Sequence, residues 1–302
     1  MEKNNNQDRK SIVNQKGFSV KKRFSQNFLL DENIISNIVD SADIDNTTGV
    51  IEIGPGLGAL TKLILQKAKF SLLYEIDRGL IPHIEAFFKD SKNWKILNRD
   101  VLKADINADI SEYFNDVDRL VVISNLPYHI TTPIIMKFLE EVDNIDTLIL
   151  MMQFEVGKRL TSKPNTKDYN ALSVIIQHQT NAKLLFKVPR TVFHPRPNVD
   201  SAVVRLDIKK NVVNSENHDF YRFVHNCFLQ RRKTLVNNLN FAYNYAKEDI
   251  KKILEKNNIN PLARSESLEL EDFLNVYKTF NSDLRVQLEN IKEINNGIKK
   301  NR

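Results

Sequence analysis

Apolar residues in the first two thirds of the chain are grouped in short runs, and the first clear run ends in a glycine-rich turn. Residues 50–53 are mostly apolar and β-branched, as expected of a strand covered on both faces. Three glycines alternate directly after this strand, at Gly54, Gly56 and Gly58. A helix-periodic segment over 59–67 comes next. Strand, tight turn and helix in this order predict the first unit of a Rossmann-like α/β domain.

Further apolar runs predict more strands, and the pattern changes in the last third of the chain. Strands are predicted over residues 71–76, 96–100, 120–124, 147–153 and 202–208. After residue 219 apolar residues recur at helical spacing, and the first predicted helix includes the basic triplet Arg231, Arg232 and Lys233. Two more helices are predicted over 249–256 and 271–280. The fold class is α/β, a Rossmann-like domain followed by a small all-helical C-terminal domain.

Charge is distributed unevenly along the chain, and this distribution indicates what kind of partner the protein binds. The net charge of +6 divides into +5 for residues 1–27, −3 for residues 28–209 and +4 for residues 210–302. Counterion release from phosphates drives sequence-independent binding, so basic ends around an acidic domain favour a polyanionic partner. Solvated basic tails would give the same charges. We predict a disordered extension over 1–17, the α/β domain over 18–209, and a helical domain with a basic tail over 210–302 that would bind the polyanionic partner.

Composition excludes several classes of protein. No apolar run approaches the roughly 18 to 20 residues of a membrane span. Residues 1–16 are polar and lack the apolar core of a secretory signal. A single cysteine, Cys227, excludes an internal disulfide framework and fits a reducing compartment, and the histidines show no metal-ligand spacing. We therefore expect a cytoplasmic protein with no membrane contact and no metal site.

The spacing of the three glycines indicates which ligand the turn accommodates. A dinucleotide fingerprint reads G-x-G-x-x-G and places pyrophosphate at a helix N-terminus, whereas here the glycines alternate. With Glu52 before them, the pattern E-x-G-x-G-x-G is similar to the first motif of S-adenosylmethionine-dependent methyltransferases. Glycines at a strand-to-helix turn also serve backbone geometry alone, so this motif needs support from the other strands.

Acidic residues at the ends of the next two predicted strands supply that support. Glu75 ends the second strand, where a carboxylate in a βαβ unit accepts hydrogen bonds from the ribose hydroxyls of a nucleoside ligand. Asp77 is adjacent, and one of the two acids could be a surface residue. Asp100 ends the third strand and is placed to accept from an adenine amino group. Together the glycine turn and the two acids predict a nucleoside-containing cofactor.

The fourth predicted strand leads into Asn125, Leu126, Pro127 and Tyr128, which we assign as the catalytic residues. This pattern resembles the motif of methyltransferases that act on exocyclic amino groups. The adenine N6 lone pair is delocalised into the ring, so the amine is a poor nucleophile. Two acceptors, the Asn125 side-chain oxygen and the Leu126 carbonyl, would favour a pyramidal nitrogen. Proline makes the turn rigid, and Tyr128 would stack on the base, worth about 1–3 kcal/mol.

Two later segments are candidates for substrate binding. Phe193 lies in a loop stiffened by two prolines and is predicted to cover the other face of the target base. The triplet Arg231, Arg232 and Lys233 is predicted to bind phosphates, with a solvated helix face as the alternative.

Ten motifs in order resemble the rRNA adenine N6,N6-dimethyltransferase family over about residues 20 to 280. They include QNFL (26–29), EIGPGLG (52–58), NLPY (125–128), FHPRPNVDSAVV (193–204) and RRKTLVNNL (231–239). The resemblance implies that the Rossmann-like domain is an S-adenosylmethionine-dependent methyltransferase domain. By the same resemblance, the cofactor would contact Asn27, Leu29, Gly54, Gly56, Glu75, Asp100 and Asn125. The flipped adenine would be held by Asn125 to Tyr128 with Phe193.

Within this family the chain is similar to the branch that acts on the small ribosomal subunit. The resemblance implies dimethylation of two adjacent adenosines in a hairpin loop near the 3′ end of small-subunit rRNA, by a monomer that binds no DNA. Ser25 stands where the usual pattern has glycine, which macrolide-resistance methyltransferases of large-subunit rRNA can share. Leu126 and the RRKTLVNNL segment favour the small-subunit enzymes. A ribosome-assembly factor with incidental methylation and a DNA amino-methyltransferase stay open, and a small-molecule methyltransferase fits the basic helical domain least.

Overall fold

The computed structural model describes residues 27–210, 212 and 217–282. The predicted disordered extension, the basic segment that contains Ser25 and Gln26, and the basic tail after residue 282 lie outside these residues. The described chain forms two compact units, residues 27–158 with 179–210, and residues 159–178 with those from 212 onward. The chain therefore enters the second unit twice, whereas the sequence predicted one boundary between residues 209 and 210.

Nine strands are described in the first unit. They are β1 (Phe28–Leu29), β2 (Thr48–Ile53), β3 (Phe70–Tyr74), β4 (Trp94–Leu97), β5 (Arg119–Asn125), β6 (Thr147–Gln153), β7 (Thr180–Val188), β8 (Phe193–His194) and β9 (Ser201–Ile208). Seven of them form one sheet in the order β4-β3-β2-β5-β6-β9-β7, while β1 pairs with β8 separately. The sheet is parallel from β4 to β6, and β9 is antiparallel to both of its neighbours.

The parallel sheet confirms the Rossmann-like α/β class, with strands close to the predicted positions. β2 is buried at every position, as its β-branched sequence indicates for a strand covered on both faces. β7 was not predicted from the sequence. It lies at the edge of the sheet, where only its first and last residues are buried, so its apolar pattern is weak.

Short helices cover the sheet and connect its strands. The first six helices are α1 (Glu32–Asp40), α2 (Ala59–Lys67), α3 (Ile81–Phe87), α4 (Ile106–Tyr113), α5 (Thr131–Glu140) and α6 (Phe154–Leu160). Asp31 begins α1 by accepting a hydrogen bond from the backbone of Ile34 at 3.0 Å, and α2 matches the predicted segment 59–67. Apolar residues of α1 and α2 pack on β2, β5 and β6 in one core.

The strand order reverses at β2, which has β3 on one side and β5 on the other. In open α/β sheets such a reversal leaves a crevice at the carboxyl ends of the strands, because the following helices diverge to opposite faces. The glycine turn, Glu75 and Asn125 all follow these strand ends. The topology therefore positions the predicted cofactor residues at one edge of the sheet.

The second unit is helical, as predicted. Its helices are α7 (Ala171–Gln179), α8 (Asn217–Cys227), α9 (Leu235–Tyr243), α10 (Lys247–Lys256) and α11 (residues 270–282). In the part of the chain that the structure describes, each helix is too short or too polar to cross a membrane.

The prediction that the basic triplet lies within a helix is wrong. Residues 228–234 form a turn between α8 and α9, and the triplet Arg231–Lys233 is in this turn. Thr234 has an extended backbone and caps α9 by accepting from the Asn237 N–H. The Asn238 side chain holds the turn by accepting from the Gln230 N–H at 2.9 Å and donating to the Cys227 carbonyl at 2.7 Å. The helical spacing of apolar residues continues from α8 to α9, but these polar contacts hold residues 228–234 in a turn between the two helices.

Substitutions in the glycine turn should separate backbone strain from steric overlap. Gly54 and Gly58 both have positive φ, +66° and +74°, so alanine at either costs about 1–2 kcal/mol. A Cβ on Gly54 would meet nothing within 4 Å, whereas one on Gly58 would lie 2.6 Å from the buried Phe88 ring. Overpacking adds about 1–3 kcal/mol, so Gly58→Ala should lower the free energy of unfolding more than Gly54→Ala. Urea denaturation of both variants measures the difference, and equal losses would contradict the packing argument.

Candidate active site

A cavity of about 330 Å³ lies at the carboxyl ends of β2, β3 and β5 in the first unit. It brings together all of the predicted cofactor-binding residues and the whole of the predicted catalytic segment. These residues are Asn27, Leu29, Gly54, Gly56, Glu75, Asp100, Asn125, Leu126, Pro127 and Tyr128. Residues from distant parts of the sequence therefore share one site, as the reversal of strand order requires.

The glycine turn forms one wall of the cavity with its backbone. Gly54 donates its N–H to the Tyr74 carbonyl at 2.8 Å, which fixes the turn against the end of β3. Because a Cβ on Gly54 would meet no atom within 4 Å, the backbone here borders open space. Gly56 donates its N–H to the Glu75 carboxylate at 3.3 Å. The turn thus leaves room for a ligand and positions an acid beside it.

Glu75 is held by backbone donors at the end of β3. Its carboxylate accepts from Gly56 on one oxygen and from the Asp77 N–H at 2.8 Å on the other. Burial raises the pKa of Glu75 to about 7, although these hydrogen bonds act in the opposite direction. Asp77 is itself buried and accepts from the Gly79 N–H at 3.0 Å, so it is not a surface acid. Glu75, unlike Asp77, lines the cavity.

Glu52 adds a second buried carboxyl group to the wall. It accepts a hydrogen bond from the Thr61 hydroxyl at 2.7 Å, and burial raises its pKa to about 8. The one guanidinium among the described lining residues, that of Arg99, is paired with Asp109 at 2.8 Å. The buried carboxyl groups are therefore largely protonated below pH 7 to 8, and a cationic ligand would favour their ionised forms.

Asp100 follows β4 and is flanked by apolar residues that the sequence analysis did not identify. One carboxylate oxygen of Asp100 accepts from the Leu102 N–H at 3.0 Å. Val101 and Leu102 line the cavity, as does Ile76, which is 49% exposed. The sequence did contain a signal for Ile76, because an apolar residue stands there between two acids directly after a buried strand. These residues offer apolar surface for a purine beside the acceptor of Asp100.

Asn125 has a hydrogen bond that determines how its amide is oriented. Its side-chain nitrogen donates to the backbone carbonyl of Asn27 at 3.2 Å. The side-chain oxygen has no hydrogen-bond partner among the described residues, and Asn125 is one of the residues that line the cavity. The residue therefore keeps an unused acceptor at the wall of the site. The sequence analysis assigned Asn27 and Asn125 separately and did not predict their contact.

The residues after Asn125 complete the wall in a rigid turn. Leu126 is buried and donates its N–H to the Met151 carbonyl at 3.1 Å, while its own carbonyl accepts no hydrogen bond from the described residues. Pro127 precedes a 3-10 turn over Tyr128–Ile130. The Tyr128 hydroxyl lies 2.8 Å from the Ser201 hydroxyl, and burial raises the pKa of Tyr128. The tyrosine ring is thus fixed at its far end.

Phe193 is not part of the cavity lining, in contrast to its predicted stacking role. It is 5% exposed, pairs with Leu29 in the β1–β8 sheet and belongs to the core. Leu29 is also buried in this core, although the residue borders the cavity as well. The phenylalanine supports β1, and β1 in turn carries Asn27 over the cavity. Because the Phe193 ring is buried in the core, it is not exposed for stacking on a target base.

The basic triplet belongs to the second unit and is exposed. Arg231 donates to the Lys167 carbonyl at 3.1 Å, while Arg232 and Lys233 show no ion pair or hydrogen bond of their side chains with described residues. Within the described residues no group of three or more His, Cys, Asp or Glu is arranged to hold a metal ion.

The cavity fits S-adenosylmethionine, the cofactor implied by the sequence resemblance. Glu75 and Asp100 offer acceptors to hydroxyl and amino donors, and the acidic lining suits a cationic ligand. The open space at Gly54 lets a ligand contact the backbone directly. The alternating glycines do not match the G-x-G-x-x-G turn that places a pyrophosphate at a helix N-terminus. Asn27, Gly54, Glu75 and Asp100 line the cavity and are the residues that would hold the cofactor.

Comparisons with known proteins agree with this geometry. The sequence model of the family described as "Ribosomal RNA adenine dimethylase" matches residues 17–282. A protein of Bacillus licheniformis named "Ribosomal RNA small subunit methyltransferase A" is 46% identical over 269 residues, which cover 87% of this chain and 92% of the relative.

Two solved structures share the fold. A dimethyladenosine transferase from Plasmodium falciparum has a TM-score of 0.73 at 24% identity, with 84% of this chain and 98% of the other covered. The 23S rRNA methyltransferase ErmE has a TM-score of 0.65 at 24% identity, with coverages of 84% and 99%.

The raised pKa of Glu75 predicts that affinity for the nucleoside end of the cofactor depends on pH. An ionised carboxylate accepts hydrogen bonds from ribose hydroxyls better than a protonated one. With a pKa of about 7, Glu75 is mostly protonated at pH 6 and mostly ionised at pH 8. Binding of 5′-methylthioadenosine, which does not titrate in this range, should therefore strengthen about tenfold from pH 6 to 8.

Isothermal titration calorimetry measures this dependence, with Glu75→Gln and Glu52→Gln as matched variants. Glu75→Gln should bind weakly at both pH values, whereas Glu52→Gln should keep the rise between them. An unchanged pH dependence in Glu75→Gln would show that another group is responsible.

Proposed function

The chain belongs to the ribosomal RNA adenine dimethylase family, and on this premise we propose that it dimethylates N6 of two adjacent adenosines in a hairpin loop near the 3′ end of small-subunit rRNA. As a member, it is an S-adenosylmethionine-dependent rRNA adenine dimethyltransferase. The choice of the small subunit is supported by the name of the Bacillus relative, which is 46% identical. The proposal includes action on the assembling small subunit by a cytoplasmic monomer that binds no DNA.

The observation that carries the proposal is the orientation of Asn125. Its nitrogen is engaged by the Asn27 carbonyl, so its oxygen is available to accept a hydrogen from an exocyclic amine. The Leu126 carbonyl, which accepts no hydrogen bond from the described residues, is the second acceptor. Two acceptors on two hydrogens of N6 favour a pyramidal nitrogen with its lone pair directed away from both. A hydroxyl or ring-nitrogen substrate would have no use for this pair.

The residues around Asn125 position the base. Tyr128, held through Ser201, provides an aromatic face for stacking, worth about 1–3 kcal/mol. The target adenosine must leave its stack to reach the cavity, which costs least in a hairpin loop. The cofactor supplies an electrophilic methyl group on a sulfonium when bound. Positioning is then the main contribution of the protein, and no strong base is required because the amine proton can leave after transfer.

The basic triplet is proposed to bind phosphates of the same RNA. Arg231, Arg232 and Lys233 are exposed in a turn of the second unit, where their charges are available to an anion. Each phosphate neutralised by a lysine or arginine contributes through counterion release. Binding through this turn is independent of base sequence and complements recognition of the adenine in the cavity.

Replacing Asn125 with alanine should lower turnover far more than cofactor binding. The variant loses one of two acceptors for the amine, and loss of one such preorganised group lowers kcat by about 10²-fold. The Kd for S-adenosylmethionine should stay within about twofold, because Glu75 and Asp100 are unchanged. Asn37→Ala, an exposed position on α1, is the control. Equal losses in kcat and in cofactor affinity would contradict the assigned role.

The substrate is tested by transfer of labelled methyl groups to unmethylated small ribosomal subunits. Large-subunit rRNA and duplex DNA are offered in parallel, and the products are digested to nucleosides. We expect N6,N6-dimethyladenosine in small-subunit RNA alone. Label in large-subunit RNA would assign the chain to the resistance methyltransferases. Binding to subunits without any transfer would instead support the assembly-factor alternative.

A further inference from the structure

Two lysines of the first unit share one aromatic ring outside the residues assigned above. The Lys187 ammonium lies 5.1 Å from the centre of the Phe154 ring, and the Lys158 ammonium lies 5.9 Å from it. Both distances are within the range of cation–π attraction. We call Phe154, Lys158 and Lys187 the Phe154 cluster. Its two ammonium groups lie within about 11 Å of each other, the sum of the two distances.

Backbone and side-chain contacts hold Lys187 in this place. Its ammonium lies 2.7 Å from the Asp200 carboxylate, which also accepts from the Arg190 N–H at 3.0 Å. The Phe154 N–H donates to the Asp200 carbonyl at 3.0 Å, so the ring and the carboxylate are fixed to each other. The Lys187 side chain remains 54% exposed and is accessible to a ligand.

Close packing of α6 on the sheet holds the other lysine. Gly157 precedes Lys158, and a Cβ at this position would lie 3.1 Å from side-chain atoms of Ala202 and Val204. The absence of a side chain lets α6 approach β9 closely. Lys158 therefore belongs to a helical turn that packs directly against the sheet.

The Phe154 cluster is adjacent to the group proposed to stack on the target base. Ser201, whose hydroxyl lies 2.8 Å from the Tyr128 hydroxyl, directly follows Asp200. Ser201 is also the register partner of Gln153 on one side and of Val188 on the other. Neighbouring strands are about 4.8 Å apart, so the cluster begins one residue and one strand away from Ser201.

The segment that contains Lys187 is net basic, whereas the domain around it is net acidic. Residues 181–200 contain four basic residues, Lys183, Lys187, Arg190 and Arg196, and one acid, Asp200. Residues 28–209 as a whole carry a net charge of −3. Lys187 is paired with Asp200 yet remains 54% exposed, so a phosphate would act as an additional anionic partner of its ammonium group. Local positive charge in an acidic domain is therefore suited to an anionic ligand.

We propose that the Phe154 cluster binds a phosphodiester group of the RNA strand next to the adenosine that enters the cavity. The inference rests on the proposed function, since Tyr128 is there the residue against the target base. A base that leaves its stack takes only its own ring into a pocket, and the flanking phosphates stay outside beside it. Lysine ammonium groups bind phosphate as point charges, and the ring fixes their positions before the RNA arrives.

The double variant Lys158→Ala, Lys187→Ala tests the proposal by direct binding. A fluorescent RNA hairpin that carries the two adjacent adenosines is titrated between 50 and 200 mM salt. We expect its Kd to rise about tenfold and the dependence of log K on log salt to become shallower by about 1–2. The Kd for S-adenosylmethionine should be unchanged. Lys183→Ala, an exposed lysine on the same strand, should bind the hairpin as the wild type does.

A variant that is expected to strengthen binding distinguishes a phosphate contact of Lys187 from a structural role of that residue. Asp200→Asn removes the negative charge beside Lys187 while an amide oxygen can still accept from Arg190. It should bind the hairpin about threefold more tightly, whereas a purely structural role predicts weaker binding. Lys187→Gln keeps the side-chain stem and should weaken binding about threefold; circular dichroism confirms that each variant is folded.

The outcomes distinguish this proposal from the proposed function. A double variant with the wild-type Kd and salt dependence overturns the phosphate site, whatever the wild-type activity. Wild-type protein that binds the hairpin through the two lysines yet methylates no RNA would support the phosphate site and contradict the proposed function.

Discussion

Parallel pairing of β2 with β3 on one side and β5 on the other is the constraint on which the site depends. It brings the ends of three strands to one edge of the sheet, and the Ser124 hydroxyl reinforces it by donating to the Ile53 carbonyl at 2.6 Å. Each strand end then contributes one component, the glycine turn, Glu75 or Asn125. Neither local sequence nor any single strand could assemble these groups, because Gly56 and Glu75 are 19 residues apart in the chain and Asn125 ends a later strand.

Burial gives the site its electrostatic character. Glu52 and Glu75 are held by hydrogen bonds in surroundings of low polarity, so their pKa values are raised to about 8 and 7. A cationic ligand would favour the ionised forms of both groups, and the one lining guanidinium is already paired with Asp109. The cavity therefore suits a nucleoside that donates hydrogen bonds to carboxyl groups, and a cationic group on that ligand would be compatible with them.

The short strand β1 connects two parts of the cavity wall, the segment at Asn27 and the segment at Asn125. Its pairing with β8 and the buried Leu29 and Phe193 hold the segment over the cavity, and the Leu30 N–H donates to the Val192 carbonyl at 3.0 Å. The same segment presents the Asn27 carbonyl to Asn125. Hence the loop that begins at Phe193 affects Asn125 indirectly, by supporting the strand that follows the Asn27 carbonyl.

The sequence by itself determined the α/β class, the parallel strands, the glycine turn and the polar residues of the cavity at the strand ends, because buried strands and tight turns require particular residue types in local order. Only the tertiary structure decided the interruption at 228–234, the edge strand β7 and the burial of Phe193. It also decided the bond between Asn27 and Asn125, which are 98 residues apart, and the two lysines over Phe154. Such contacts depend on which surfaces face each other after folding. The spacing of apolar residues along the chain predicts helices and strands but not which of their surfaces come into contact.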